Sequence, residues 1–164
     1  MRVEIREITE EQDLNNSLNV IRTSFQTVAR ELNLTRQNCP NHPTFMTLEK
    51  LNDFRKKAKL FGLFNHGEQI GFVAMEKADE QLYYLDRLSV LPGHRHHGYG
   101  KKLVEFIITR VIKAGGSNIS LGMIDSHTVL KEWYKSLGFI ETETRKFEHL
   151  PFTVCFMERD LSGK

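Results

Sequence analysis

The sequence predicts an α+β fold: a mixed, mostly antiparallel twisted sheet of seven strands flanked by helices. Three observations carry this. Apolar residues alternate between a period of two and spacings of three and four, in the order strand, two helices, three strands, helix, strand, helix, two strands. The three central strands are joined by short polar links, "HGE" and "DE", of the kind that connect antiparallel neighbours. Strand 82–90, helix 100–114 and strand 118–124 then form a right-handed crossover between parallel strands.

Val3, Ile5 and Ile8 mark the first strand. Leu14, Leu18, Ile21, Phe25, Val28 and Leu32 fall on one helical stripe, which the prolines and asparagines of "NLTRQNCPNHP" end. Thr47 caps a second helix with Leu48, Leu51, Phe54 and Ala58 on one face. "KLFGLFN", "QIGFVAMEKA" and "QLYYLDRLSVL" form the meander. Leu103, Phe106, Ile107 and Val111 define a helix ending at Gly115 and Gly116, after which "NISLGMI" is a strand. Ser126 or Thr128 caps a helix carrying Leu130, Trp133, Tyr134 and Leu137, stopped by Gly138. "FIETETRKF" and "FTVCFMERDL" close the chain as a hairpin.

At 164 residues the chain reads as one domain, 1–164, without repeat or linker. A net charge of +2 is too small to argue for nucleic acid or a membrane surface, so any basic site is local. Cys39 and Cys155 lie far apart without CxxC spacing, which suits free thiols in a reducing cytoplasm. The N-terminal stretch lacks an apolar signal core, and no apolar run reaches the ~18 residues of a membrane span.

The chemistry concentrates in "VLPGHRHHGYGKKLVEF", residues 90–106, where a strand turns through Gly93, Gly98 and Gly100 into a helix. Glycines let a backbone close on a ligand, and a helix start presents unpaired N–H groups to an anion. A Walker A loop needs lysine directly after its last glycine, but Tyr99 follows Gly98. A dinucleotide fingerprint on Gly98 and Gly100 needs a third glycine where Leu103 stands. Three histidines, His94, His96 and His97, lack acidic or cysteine partners at matching spacing, so no metal is expected.

The pattern that remains, R/Q-x-x-G-x-G/A, is met by Arg95, Gly98 and Gly100, preceded by Val90 and Pro92 and followed by Leu103. Here the chain resembles the GCN5-related N-acetyltransferase family, in loop and in element order. The resemblance implies that backbone N–H groups along His96, His97, Gly98, Tyr99, Gly100 and Lys101 wrap the pyrophosphate of acetyl-CoA, with Arg95 and Lys101 adding charge. It further implies that the strand before the loop splays from its neighbour, so that Leu88 and Val90 offer backbone to the pantetheine arm and the thioester carbonyl.

"LKEWYKSLGF" resembles the family's second signature, with Trp133, Tyr134, Gly138 and Phe139 in register. Leu130 replaces its alanine, and His127 stands where asparagine often touches the cofactor. Tyr134 is the expected proton donor to the leaving thiolate. The carboxylate usual on the strand before the loop falls at Tyr84, so Asp86 is the candidate base, with Glu76 or a water chain as alternatives. Alternation places Asp86 on one face with Tyr84, Leu88 and Val90, where a salt bridge is its competing role. The loop "RELNLTRQNCPNHPTFM" is expected to cover the acceptor pocket, with Cys39 as packing. The implied activity is direct acetyl transfer to a small-molecule or peptide amine; the rival is a non-catalytic acyl-CoA-binding or sensor module. A homodimer through the C-terminal hairpin is an expectation by analogy.

Overall fold

A computed structural model describes residues 3–163. Its elements are β1 (Val3–Glu7), α1 (Glu11–Glu31), α2 (Leu48–Phe54), β2 (Ala58–Asn65), β3 (Glu68–Lys77), β4 (Leu82–Val90), α3 (Tyr99–Lys113), β5 (Asn118–Ile124), α4 (Thr128–Ser136), β6 (Ile140–Lys146) and β7 (Thr153–Asp160), with short 3₁₀ turns at Pro43–Phe45 and Pro92–His94. One seven-stranded sheet runs β1-β2-β3-β4-β5-β7-β6. Every neighbouring pair is antiparallel except β4 and β5, which run parallel with α3 between them. The expected mixed, mostly antiparallel sheet is the observed one. No described helix is long and apolar enough to cross a membrane.

The two faces of the sheet carry separate cores. On one, Tyr83, Leu85, Phe61 and Val73 meet Leu103, Ile107 and Val111 of α3 and Tyr134 of α4. On the other, Leu14, Leu18 and Ile21 of α1 and Leu51 and Phe54 of α2 cover Leu60, Phe72 and Ala74. Burying stripes of this kind supplies most of the stability of helices this short. A third, small cluster of Ala29, Leu34 and Cys39 takes Leu150 and Phe152 against it, tying the loop after α1 to the tip of the β6–β7 hairpin.

Two predicted details differ. Ala58 is not on the second helix, which ends at Phe54, but opens β2. The cap of α4 is neither Ser126 nor Thr128: Nδ1 of His127 accepts from the Leu130 N–H at 3.4 Å. Thr47 caps α2 as expected, accepting from the Lys50 N–H at 3.2 Å.

Candidate functional site

After β4 the chain passes through the Pro92–His94 turn and enters α3 with His96 and Gly98 both in the left-handed region, at φ 67° and 83°. Gly98 is the N-cap and brings no side chain to satisfy the helix start. The first helical bond is Lys102 N–H to the Gly98 carbonyl at 3.1 Å. Among the described residues, the N–H groups from His96 to Lys101 have no protein acceptor. A β-carbon at Gly98 would meet nothing within 4 Å, so the space on that side of Gly98 is open. The helix dipole adds partial positive charge there.

Side chains divide the labour around the cradle. The Tyr99 ring is buried and anchors the first turn of α3 in the core, leaving only its backbone for a ligand. A β-carbon at Gly100 would lie 3.2 Å from Trp133, so glycine here lets α4 approach α3. His96, His97 and Lys101 are exposed. Arg95, predicted to charge the loop, instead ties it to α1: its Nε donates to the Val90 carbonyl at 3.1 Å, and its terminal nitrogens to the Ser24 carbonyl at 2.7 Å and the Thr27 hydroxyl at 3.4 Å.

Parallel pairing of β4 with β5 covers only Leu82 to Tyr84 against Asn118 to Ser120. Beyond it the strands part around a cleft of about 520 Å³ lined by Tyr84, Asp86, Ser120, Gly122 and Glu143 among others. At the same point the β3–β4 register slips between Phe72 and Ala74. Arg87 takes φ 52° in the resulting bulge, and the Ser89 hydroxyl donates to its carbonyl at 2.9 Å. The slip overturns the predicted sharing of a face. Asp86 stays with Tyr84, but Leu88 and Val90 cross to the face of Tyr83 and Leu85, packing on the α3 core.

Tyr134 is buried beside Trp133 and Phe139, with ring centroids at 5.0 and 5.6 Å. Burial, and secondarily the charge of Asp86, push its phenol far above the ordinary value, so it holds its proton at any working pH. Asp86 accepts from Arg87 at 3.0 Å, the salt bridge foreseen as its competing role. His127, as N-cap, has its Nδ1 occupied by the Leu130 N–H. Glu76 lies outside the cleft lining, 4.0 Å from Lys57.

A second cavity of about 350 Å³ adjoins the bulge on the α1–α2 side, lined by Asn41, His42, Lys50, Phe54, Lys57 and Arg87 among others. The loop after α1 supplies Asn41 and His42. Burial lowers the His42 imidazole to about 4, so it is neutral at pH 7, with Nδ1 accepting from the Thr44 N–H. Sequence reasoning missed Arg87, because no residue type announces a bulge. It also missed a polar knot in which Lys131 bonds Asp125 at 2.5 Å and lies 3.5 Å from Glu141. Ligand atoms of Asp125, Glu141 and Cys155 lie within 4.8 Å of one another, and the ammonium already serves as their cation.

A family model described as the acetyltransferase (GNAT) family matches residues 25–139. No curated protein matches the chain. Among solved structures, PaiA N-acetyltransferase from Thermoplasma acidophilum in complex with coenzyme A superposes with a TM-score of 0.81 at 22% identity, covering 98% of this chain and 99% of that one. The ribosomal-protein-S18-alanine N-acetyltransferase from Escherichia coli gives 0.76 at 18%, covering 99% and 96%. A GNAT family acetyltransferase from Elizabethkingia anophelis with acetyl-CoA bound gives 0.69 at 15%, covering 97% and 98%. At these identities the likeness establishes the fold.

Proposed function

The chain belongs to the acetyltransferase (GNAT) family, and from that premise we propose that it transfers an acetyl group from acetyl-CoA directly to a primary amine. The observation that supports this best is the row of unpartnered N–H groups from His96 to Lys101, which follows the end of β4 beyond the point where β4 and β5 part. A diphosphate fits that row, because it supplies the acceptors the backbone lacks and meets the positive end of α3. PaiA with coenzyme A and the Elizabethkingia enzyme with acetyl-CoA share the fold. Acetyl-CoA, when bound, supplies an acyl group activated as a thioester.

The chain's own groups then have separable tasks. His96 to Lys101 anchor the diphosphate, and the β4 edge beyond Tyr84, no longer paired with β5, aligns the pantetheine arm at Leu88 and Val90, the Val90 carbonyl being already held by Arg95. Arg95 acts by holding that edge and loop to α1. Asp86, in the cleft, takes the proton of the ammonium, which with a pKa near ~10 must be lost before attack. Tyr134 gives its proton to the departing sulfur. The acceptor is a small molecule or a peptide N-terminus, the latter in line with the S18-alanine enzyme. We place the protein in the cytoplasm, in keeping with two buried free cysteines.

Calorimetry with acetyl-CoA, followed by thiol release across a panel of primary amines, tests the proposal. Binding together with amine-dependent thiol release is expected. Binding without release from any amine would instead favour the acyl-CoA-binding module, a reading kept by the Asp86–Arg87 pairing and by Tyr84 where a carboxylate is usual. No binding would refute both.

A further inference from the structure

We infer that the acceptor is a primary amine that also carries a carboxylate, which the cavity beside Arg87 receives. This rests on the acetyl-transfer reading above. The two cavities meet at one peptide: Asp86 lines the cleft between the parted strands, and Arg87 lines the cavity on the α1–α2 side. Their side chains come together, an Arg87 terminal nitrogen lying 3.0 Å from the Asp86 carboxylate. An acceptor whose amine reaches Asp86 therefore has its next few atoms at Arg87.

The charge of the second cavity selects what those atoms are. Lys50, Lys57 and Arg87 line it against a single anion, Asp53, whose carboxylate already lies 3.3 Å from Lys56. Among the described residues, Lys50 has only the neutral Asn41 amide as a partner, at 3.1 Å. Lys57 is 4.0 Å from Glu76, and neutral His42 cannot supply a counter-charge. An ammonium is poorly matched to these walls, and a carboxylate is well matched.

Arg87 is the specific receptor. The bulge holds it at φ 52°, and its guanidinium carbon lies over Phe54, 4.3 Å from the ring centroid. One terminal nitrogen bonds Asp86 at 3.0 Å, while Nε is closed off from water with no acceptor among the described residues. A buried donor left without a partner is a standing cost. A carboxylate that draws the guanidinium slightly off Phe54 satisfies Nε, and the planar fork of arginine suits it. The same arrangement leaves Asp86 in place for the amine.

The test compares straight-chain amino acids of increasing length, and short peptides with a carboxylate at equal bond counts from the amine, each with its uncharged amide. Thiol release is followed at saturating acetyl-CoA. The carboxylate form is expected to lead its amide by about tenfold or more in kcat/KM, mainly through KM. Lys50→Glu and Lys57→Glu, both at exposed positions, shrink or invert that ratio, and Arg87→Gln removes it. Whether free amino acids or peptides lead identifies the source of the carboxylate, either answer supporting the inference. Equal rates for acid and amide overturn it while leaving acetyl transfer intact. If no amine is acetylated, the transfer reading falls, and this inference with it.

Discussion

Replacing Tyr134 with phenylalanine separates a proton donor from a packing residue. The ring contacts with Trp133 and Phe139, at 5.0 and 5.6 Å, survive the change. The hydroxyl has no hydrogen bond to any described residue, so its removal breaks none. The hydroxyl is not among the fully buried polar atoms that lack a partner, so no desolvation cost is relieved, and the variant should match the wild type within about 1 kcal/mol. Its kcat should nevertheless fall ~10²–10⁴-fold, the usual worth of a positioned general acid, or about 3–5 kcal/mol in the barrier. Acetyl-CoA affinity should hold, because the backbone cradle at α3 is untouched. Thiol release, calorimetry and urea unfolding read the three quantities. A kcat within about threefold of wild type would refute the proton role, and a lost affinity or fold would assign Tyr134 to packing.

The same residue has a pH signature whose sign is determined. The unfolded phenol ionises near ~10, whereas burial keeps the folded one protonated well beyond that. Above that pH the folded state binds the extra proton, so stability falls as pH rises, by at most ~1.36 kcal/mol per unit. Tyr134→Phe should remove that slope from alkaline unfolding curves.

Three further outcomes are expected. Arg95→Met deletes three hydrogen bonds joining β4 and the loop to α1 and should cost ~2–3 kcal/mol, or ~4–12 °C in Tm, whereas exposed Lys101→Ala should leave Tm unchanged and weaken acetyl-CoA binding in calorimetry. Gly98→Ala meets no atom but must hold φ 83°, so thermal unfolding should show a loss of ~1–2 kcal/mol, with weaker acetyl-CoA binding as the loop relaxes. His42 titrates near 6.5 when unfolded but at about 4 when folded, so its stabilisation, present above the unfolded value, is lost as pH falls through the folded one. After discounting for screening this is ~1–2 kcal/mol by urea unfolding at pH 7 and pH 4.5, and His42→Asn should flatten the difference.

The element order was legible because burial writes itself into spacing: the α1 stripe from Leu14 to Ile21 is the stripe found buried. The phosphate cradle was legible for a related reason, since Gly98 answers a backbone need that few other residues meet. What stayed hidden depends on rotamers and register. Arg95 is the residue type a phosphate loop wants, yet its reach to Ser24 is set by how α1 docks. His127 took the α4 cap from two hydroxyl residues because an imidazole nitrogen accepts as they do. The slip at Arg87 left no trace, because strict alternation assumes a regular strand, and that assumption misplaced Leu88 and Val90.

That slip also bears on how acid and base cooperate. Had alternation continued, Asp86 would share a face with Leu88 and Val90; the bulge instead leaves it facing α1 and α2 while Tyr134 packs among the α3 residues. The two still feel one another, since the Asp86 charge is one cause of the raised Tyr134 value. In the proposed transfer, taking the proton of an incoming ammonium neutralises Asp86 and removes that contribution. Protonation of Asp86 would then lower the Tyr134 value, a change that favours donation to sulfur rather than opposing it. Desolvation, the larger cause, keeps the phenol protonated until then.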